Sequence, residues 1–185
     1  MLGAISVKDE KLCPYYKELK PLTDAIDSAD VIILTSPVYV YHCTGSMKAW
    51  LDHYGYRWML HRPNPDMFSK QGVCISTAAG DGMKWTNKDM ADSMFFWGMG
   101  KIYRYGTAAH ALNYKSISPK KMEEIEKATD KLAEKIRRNY GHVKPGLKTK
   151  AYFEVMRKLV KSGWNEVDVA YWKEHGWTEK ARPWR

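Results

Sequence analysis

The stretch Asp30–Trp50, with the sequence DVIILTSPVYVYHCTGSMKAW, decides the fold of this chain. Its first part, Val31–Leu34, is four apolar residues of which three are β-branched. Such a run favours an interior strand, buried on both faces of a parallel sheet. Pro37 lacks a backbone donor and disfavours helical backbone at Ser36, so we expect the strand to end near residue 35. The chain then leaves over the carboxyl edge of the sheet, where ligands bind in open α/β folds.

A helix follows this loop. Met47, Trp50, Leu51 and Tyr54 are spaced by three, one and three residues, which gives one apolar helical stripe over about 46–56. The loop between strand and helix is therefore held by two rigid elements.

The size and composition of the chain indicate one α/β core. The chain has 185 residues, of which 44% are hydrophobic, enough for one sizeable core. No apolar run approaches the ~20 residues of a membrane span. The start, MLGAISVKDEKLC, does not have the regions of a secretory signal, so we expect a cytoplasmic protein.

The cysteines and the other reactive side chains do not form a recognisable motif. Cys13, Cys43 and Cys74 show no CxxC and no paired spacing, which argues against both a disulfide framework and a zinc site. Cys43 lies in the loop and could be a nucleophile, but an inert thiol is the favoured interpretation. Ser36 is not in a GxSxG elbow. We therefore predict no metal site and no catalytic residue.

The positive charge is concentrated near the carboxyl end. Residues 1–112 carry 12 Lys+Arg against 11 Asp+Glu, and residues 113–185 carry 18 against 10, so +8 of the net +9 lies in the second part. Because the lysines alternate with glutamates and no nucleic-acid motif accompanies them, a solvated helix surface is favoured over nucleic-acid binding.

Helices and strands alternate along the chain. We predict strands near 31–35 and 72–79 and from 101, and helices near 46–56 and 87–98, the latter opened by a capping box of Thr86 and Asp89. An earlier helix has Tyr15, Leu19, Leu22 and Ile26 on one face, and a later one starts at Ser118–Pro119 and stops near Gly141. This order is typical of βαβ units on a parallel sheet.

The segments ADVIILTSPVYVYHCTGSMKAWLDH and GVCISTAAGDGM resemble the flavodoxin-like NAD(P)H-dependent FMN reductase family, in which a strand ending in Ser-Pro-Val-Tyr precedes a helix with a Lys and an Asp. The resemblance covers about residues 12–138. It implies a flavodoxin-like three-layer α/β fold that binds FMN across the carboxyl edge of its parallel sheet, with NAD(P)H as substrate. It also implies that the three predicted strands correspond to the third, fourth and fifth strands of the family.

The resemblance assigns the contacts with the flavin ring to two loops. The first loop contributes Pro37, Val38, Tyr39, Val40 and Tyr41, and the second contributes Thr77, Ala78, Ala79, Gly80 and Gly82. Aromatic and apolar side chains suit the faces of a flat ring, and small residues let backbone donors approach its polar edge. His42 stands where many relatives have Asn.

By the resemblance, we expect no counterpart in this chain for the family's first strand, phosphate-binding loop, first helix and second strand. By the resemblance, Cys13 is the last member of a cysteine cluster found in some relatives. Since the phosphate of FMN would sit on that loop, we expect FMN to bind weakly and riboflavin to bind nearly as well.

The chain is predicted to divide into a partial flavodoxin-like domain, 1–141, and a helical Trp-rich extension, 142–185. The extension contains a helix that ends at Gly163 and a second one, capped by Asn165 and Asp168, up to Gly176. Its tryptophans indicate packing against the domain or a partner. A lid over the flavin or a stacking platform for nucleic acid is a less favoured alternative.

Two classes of function remain open on this evidence. The first is an FMN-dependent NAD(P)H oxidoreductase, similar to flavin or quinone reductases, that passes electrons to a small-molecule acceptor. The second is a truncated flavodoxin-like electron carrier or a non-enzymatic dimeric scaffold. Electron carriers of the flavodoxin type are usually acidic whereas this chain is basic, which favours the first class. The exposed sheet edge left by the missing strand predicts a homo-oligomer.

Overall fold

The computed structural model describes residues 8–111 and 113–184. Three strands run in the order β1 Val31–Pro37, β2 Gln71–Ala78 and β3 Lys101–Ala108. The helices are α1 Tyr16–Ser28, α2 Gly45–His53, α3 Met83–Phe96, α4 Pro119–Asn139, α5 Leu147–Lys161 and α6 Glu166–Glu174.

The three strands form one parallel sheet in the order β1-β2-β3. Val73 of β2 lies opposite Ile33 of β1 and Tyr103 of β3, so all three strands end at the same edge. This arrangement, with helices between the strands, is consistent with the flavodoxin-like α/β class predicted from the sequence. It also brings the loops after β1 and β2 side by side.

The prediction that β1 is interior and buried on both faces is wrong for the described part of the chain. Ile32, Leu34 and Ser36 are buried, but Ile33, Thr35 and Pro37 are exposed, and Ile33 shows 56% of its surface. β1 is the outer strand of the described sheet, and its alternating burial shows that the described residues cover only one of its two faces.

Helix α2 packs its predicted stripe onto the sheet. Leu51 and Tyr54 are buried in the main core, and Met47 and Trp50 pack against it, which confirms this prediction. The spacing of apolar residues at three and four positions is sufficient to bring all four onto one side of the helix.

Helix α1 follows its predicted face only in part. Ile26 is buried and Leu19 packs against the core, while Tyr15 and Leu22 remain about half exposed. Tyr15 precedes the first helical residue, and Leu22 faces the open side of β1, where the described residues provide little cover.

Helix α3 begins four residues earlier than predicted. Its first residue, Met83, follows Gly82, whose φ of +101° is a conformation that glycine adopts easily. Thr86 is already inside the helix and donates its hydroxyl to the Gly82 carbonyl, 3.2 Å away. The predicted capping box is therefore wrong, and Asp89 is free for another role.

The carboxyl-terminal helices have the predicted starts and one unexpected contact. Ser118 caps α4, and the Asn165 side chain accepts from the Val167 N–H at 3.1 Å to cap α6. Asp168, predicted as part of the second cap, is instead fully buried and binds His61 and Arg62.

The extension shares a hydrophobic core with the segment before β2. Phe153 of α5 stacks on Trp172 of α6 at 4.7 Å between ring centroids and packs edge-on against Phe68 at 5.7 Å. Trp177 is also buried in this cluster. The expectation that the tryptophans pack against the domain is confirmed for these two, and the division at residue 141 stays a prediction.

Within residues 8–111 and 113–184, no helix is long and apolar enough to cross a membrane. The same residues contain no group of three or more His, Cys, Asp or Glu side chains that could hold a metal ion.

Candidate functional site

The two predicted loops meet at the carboxyl edge of the sheet. The Val38 N–H donates to the Thr77 carbonyl at 2.9 Å and joins the end of β1 to the end of β2. The structure therefore places the two predicted loops at the same edge, with Pro37, Val38, Tyr39, Val40 and Tyr41 in the first and Thr77, Ala78, Ala79, Gly80 and Gly82 in the second. Their contact with a flavin stays a prediction.

The first loop contains a tight turn in a sparsely populated conformation. Tyr39 and His42 exchange two backbone hydrogen bonds of 2.9 and 3.0 Å. Val40 and Tyr41 between them have φ values of +48° and +66°, as in a type I′ turn, which favours Asn-Gly. A β-branched residue at positive φ is strained, at a cost of about 1–3 kcal/mol. Such strain is often found at ligand sites.

The turn presents apolar side chains to solvent. Tyr39, Val40 and Tyr41 expose 63%, 92% and 56% of their surface. Three consecutive exposed apolar residues on a strained turn form a patch that favours contact with a ligand or partner.

The second loop has empty space beside Gly80, whereas Gly82 lies in close contact with the first loop. A Cβ at Gly80 would meet nothing within 4 Å, whereas one at Gly82 would lie 2.5 Å from Val38 Cγ1 and 3.2 Å from Tyr41 Cα. Gly82 is therefore needed for the two loops to touch. Gly80 leaves the backbone of the loop accessible.

Backbone donors at this edge are available to a ligand. In the described part of the chain, the N–H groups of Val40, Tyr41, Gly80 and Asp81 have no acceptor. A flavin ring needs apolar faces and donors at its polar edge, and these two loops supply both. The residues present therefore fit the ring of FMN.

Two side chains that the sequence did not indicate hold the first loop in place. Ser36 Oγ accepts from the Thr44 N–H at 3.0 Å. Asp89 of α3 accepts from the Cys43 N–H at 3.1 Å and contacts the His42 ring at 3.0 Å. No local sequence pattern indicates this role of Asp89, because α3 begins at Met83 and Asp89 reaches Cys43 across 46 positions.

Cys43 and Cys74 lie in environments that disfavour thiolates. Burial, with the neighbouring Asp89 carboxylate, raises the pKa of the Cys43 thiol, and burial raises the pKa of Cys74 to about 12. This supports the prediction that Cys43 is an inert thiol. Cys13 lies away from the loops, with its Sγ 3.6 Å from His53 Nδ1.

Comparison with known families identifies the same segment. The family model described as NADPH-dependent FMN reductase matches residues 2–112, more than half of the chain. The match includes β1, β2 and β3 with both loops. The match begins ten residues before the start of the predicted range, 12–138, and ends 26 residues before the end of that range. The predicted resemblance is confirmed, and FMN and NAD(P)H are the cofactor and reductant of the family.

One curated relative is similar over a shorter region. An FMN-dependent NADH:quinone oxidoreductase 2 from Idiomarina loihiensis is 38% identical over 55 residues. The aligned region spans 28% of this chain and 23% of that protein, so less than a quarter of the relative is represented.

Proposed function

Because the chain belongs to the NADPH-dependent FMN reductase family, we propose that it is an FMN-dependent NAD(P)H oxidoreductase that passes electrons to a small acceptor such as a quinone or a free flavin. The observation that carries the proposal is the pair of loops at the carboxyl edge, with exposed apolar side chains and open backbone donors. When bound, FMN supplies the chemistry by accepting a hydride from NAD(P)H.

The first loop binds one face of the flavin ring in this proposal. Tyr39, Val40 and Tyr41 supply apolar contact, and the turn holds them in one orientation. Asp89 acts indirectly, because its bonds to His42 and to the Cys43 N–H fix the end of the turn. Ordering the loop before binding reduces the entropy lost on binding.

The second loop orients the polar edge of the ring. The N–H groups of Gly80 and Asp81 donate to the ring oxygens and nitrogens, and the lack of a side chain at Gly80 allows close approach. Hydride transfer needs no protein acid or base, so no protein side chain is assigned that role.

An anaerobic titration tests the proposal. The purified protein is mixed with FMN, its visible spectrum is recorded, and NADH or NADPH is added without oxygen. We expect bound flavin absorbance that bleaches on addition of at least one nicotinamide and returns with a quinone. Flavin binding without bleaching would favour the electron carrier, and no flavin binding would contradict the proposal.

We also propose a cytoplasmic homodimer that associates through the edge of β1 that has no partner strand among the described residues. This seven-residue strand carries no charge, and an uncharged edge strand is prone to pair with another chain. The neighbouring groove adds apolar surface from Leu22, Ile33 and Trp50, which a monomer would leave exposed to water.

A further inference from the structure

A cavity of about 540 Å³ lies away from the flavin loops. It is bounded by α1, by the segment after α2 and by α6. Asp27, one of its lining residues, lies just before the start of β1, and its carbonyl accepts from Lys70 just before β2. The cavity therefore reaches the amino edge of the sheet, roughly 20 Å from the loops, since a strand rises ~3.3 Å per residue. Its volume is typical of small-molecule sites.

Tyrosines form much of the wall. Tyr16, Tyr54, Tyr56 and Tyr171 all line the cavity. The Tyr54 and Tyr56 rings stack at 6.3 Å between centroids, and Tyr171 donates its hydroxyl to the Pro63 carbonyl at 2.7 Å. Aromatic walls of this kind suit a planar aromatic ligand.

The Tyr56 hydroxyl is available as a donor. It has no hydrogen-bond partner among the described residues. Burial raises the pKa of Tyr56 to about 12, so the phenol keeps its proton at neutral pH. A ligand acceptor would satisfy it.

Arg57 provides the strongest sign of a ligand. Only 7% of its side chain is exposed, and Nη2 is bound to the Asp27 carboxylate. Nε and Nη1 have no acceptor in the described part of the chain. Neither atom is among the fully enclosed unpaired ones, and Arg57 is one of the residues that line the cavity. Two unused guanidinium donors in a buried setting favour a ligand oxygen.

The formal charges around the cavity balance. Three acidic and three basic side chains line it, which are Glu10, Asp24, Asp27, Lys20, Arg57 and Arg62. Arg57 and Arg62 are already paired with carboxylates. A neutral ligand therefore fits better than an anion, which would add uncompensated charge.

We propose that this cavity binds a small, neutral, planar aromatic compound whose carbonyl oxygen accepts hydrogen bonds from Arg57. The site is separate from the flavin loops and does not depend on the proposed oxidoreductase activity. The tyrosine rings enclose the ligand ring, and the Tyr56 hydroxyl supplies a further polar contact.

A ligand-observed NMR titration with 4-hydroxybenzamide tests the site in the full chain. We expect a dissociation constant of about 1 mM or below for a compound of this size. Cyclohexanecarboxamide, which has the amide without the aromatic ring, and 4-hydroxybenzoate, which is charged, should both bind more weakly. Equal or tighter binding of either one would overturn the assigned ligand class.

Two variants link binding to the cavity. Arg57→Lys keeps the charge beside Asp27 but loses the fork of donors, and Tyr56→Phe removes one hydroxyl. We expect about tenfold weaker binding for Arg57→Lys and about threefold for Tyr56→Phe. Tyr105→Phe, on β3, serves as the control and should bind normally. Unchanged binding in both cavity variants, or no binding to the unmodified protein, would overturn the proposal.

Saturating FMN separates this site from the flavin loops. We expect the affinity for 4-hydroxybenzamide to be the same with and without FMN, because the two sites lie at opposite edges of the sheet. Displacement of the probe by FMN would overturn the proposal, since it would place the probe at the flavin loops. A protein that binds the probe but not FMN would contradict the proposed function and leave this site intact.

Discussion

Gly80 and Gly82 lie two residues apart, but a side chain would meet very different surroundings at the two positions. At Gly82 it would collide with the first loop, and at Gly80 it would enter open space. A variant at Gly80 therefore probes ligand approach without disturbing the protein, whereas a variant at Gly82 would disturb both loops.

Replacing Gly80 with Val should preserve the fold and weaken FMN binding at least tenfold. The branched side chain would occupy the space through which a ring approaches the backbone donors. Flavin fluorescence titration measures the loss. Gly146→Val is the matched control, because a Cβ at Gly146 also meets nothing within 4 Å and the residue lies in the linker before α5. Wild-type affinity in Gly80→Val would remove this loop from the site.

Replacing Asp89 with Asn should make Cys43 more reactive. Burial contributes most to the raised pKa of the Cys43 thiol, and Asp89 raises it further by charge and hydrogen bonding. Loss of the charge lowers the pKa, so more thiolate is present at pH 8. We expect alkylation of the Cys43 peptide by iodoacetamide to quicken about twofold to fivefold, as for loss of one partly exposed charge contact.

Mass spectrometry of the alkylated peptides distinguishes this effect from general loosening. Asp92→Asn is the control, since Asp92 is on the same helix but pairs with Lys88 on the surface. Faster labelling of Cys74, which is fully buried, would show that the whole domain had opened and would contradict the local explanation.

Helix α5 is tied to the sheet domain by Phe153. We expect Phe153→Ala to lower the free energy of unfolding by about 3–5 kcal/mol, as for other buried phenylalanines. Urea denaturation followed by tryptophan fluorescence measures the change. Val155→Ala is the control. Val155 lies on the same helix with 52% of its surface exposed, so this substitution should change the free energy of unfolding by less than about 0.5 kcal/mol.

The same experiment addresses cooperativity. Because Phe153 contacts Phe68, which precedes β2, the extension and the sheet should unfold in one transition. Two separated transitions would show that the segments on either side of residue 141 fold independently.

The strands were easier to predict than the start of α3. Each apolar run and the following loop defined β1 and β2 to within about two residues, because β-branched runs and Pro or Gly punctuation are local signals. Helix α3 was misplaced since Thr86 and Asp89 satisfy the pattern of a capping box, whereas the true start depends on the positive φ of Gly82 and on contact with Val38.

The resemblance located the candidate site, but it did not indicate Ser36 and Asp89, the side chains that hold the first loop in place. Asp89 reaches Cys43 across 46 positions, a pairing that no local pattern reveals. The cavity around Arg57 was also missed, because its walls come from α1, the segment after α2 and α6. Long-range assembly of this kind is visible only in three dimensions.

At the scale of the molecule, the edge of β1 that no described strand covers predicts self-association. Light scattering at micromolar concentration should give the mass of a dimer. Ile33→Lys should shift it to a monomer, since a lysine on an edge strand opposes pairing. Val155→Lys, a substitution at a similarly exposed residue of α5, should remain dimeric. A monomeric unmodified protein would contradict the proposed homodimer.

The contact of Asp168 with His61 and Arg62 makes the order of synthesis matter. Asp168 follows His61 by 107 positions in the chain and Arg62 by 106. At ~5–20 residues per second, the ribosome takes roughly 5–20 s between adding His61 and adding Asp168. Throughout that interval the nascent chain lacks the Asp168 carboxylate that His61 and Arg62 bind in the folded protein, and Phe68 lacks its contact with Phe153. The β1 and β2 segments emerge first. Early folding must therefore proceed while the apolar surface of Phe68 that packs against Phe153 is uncovered. We expect a chain released before residue 168 to keep that apolar surface exposed and therefore to be bound by chaperones or cut by proteases more readily than the full chain.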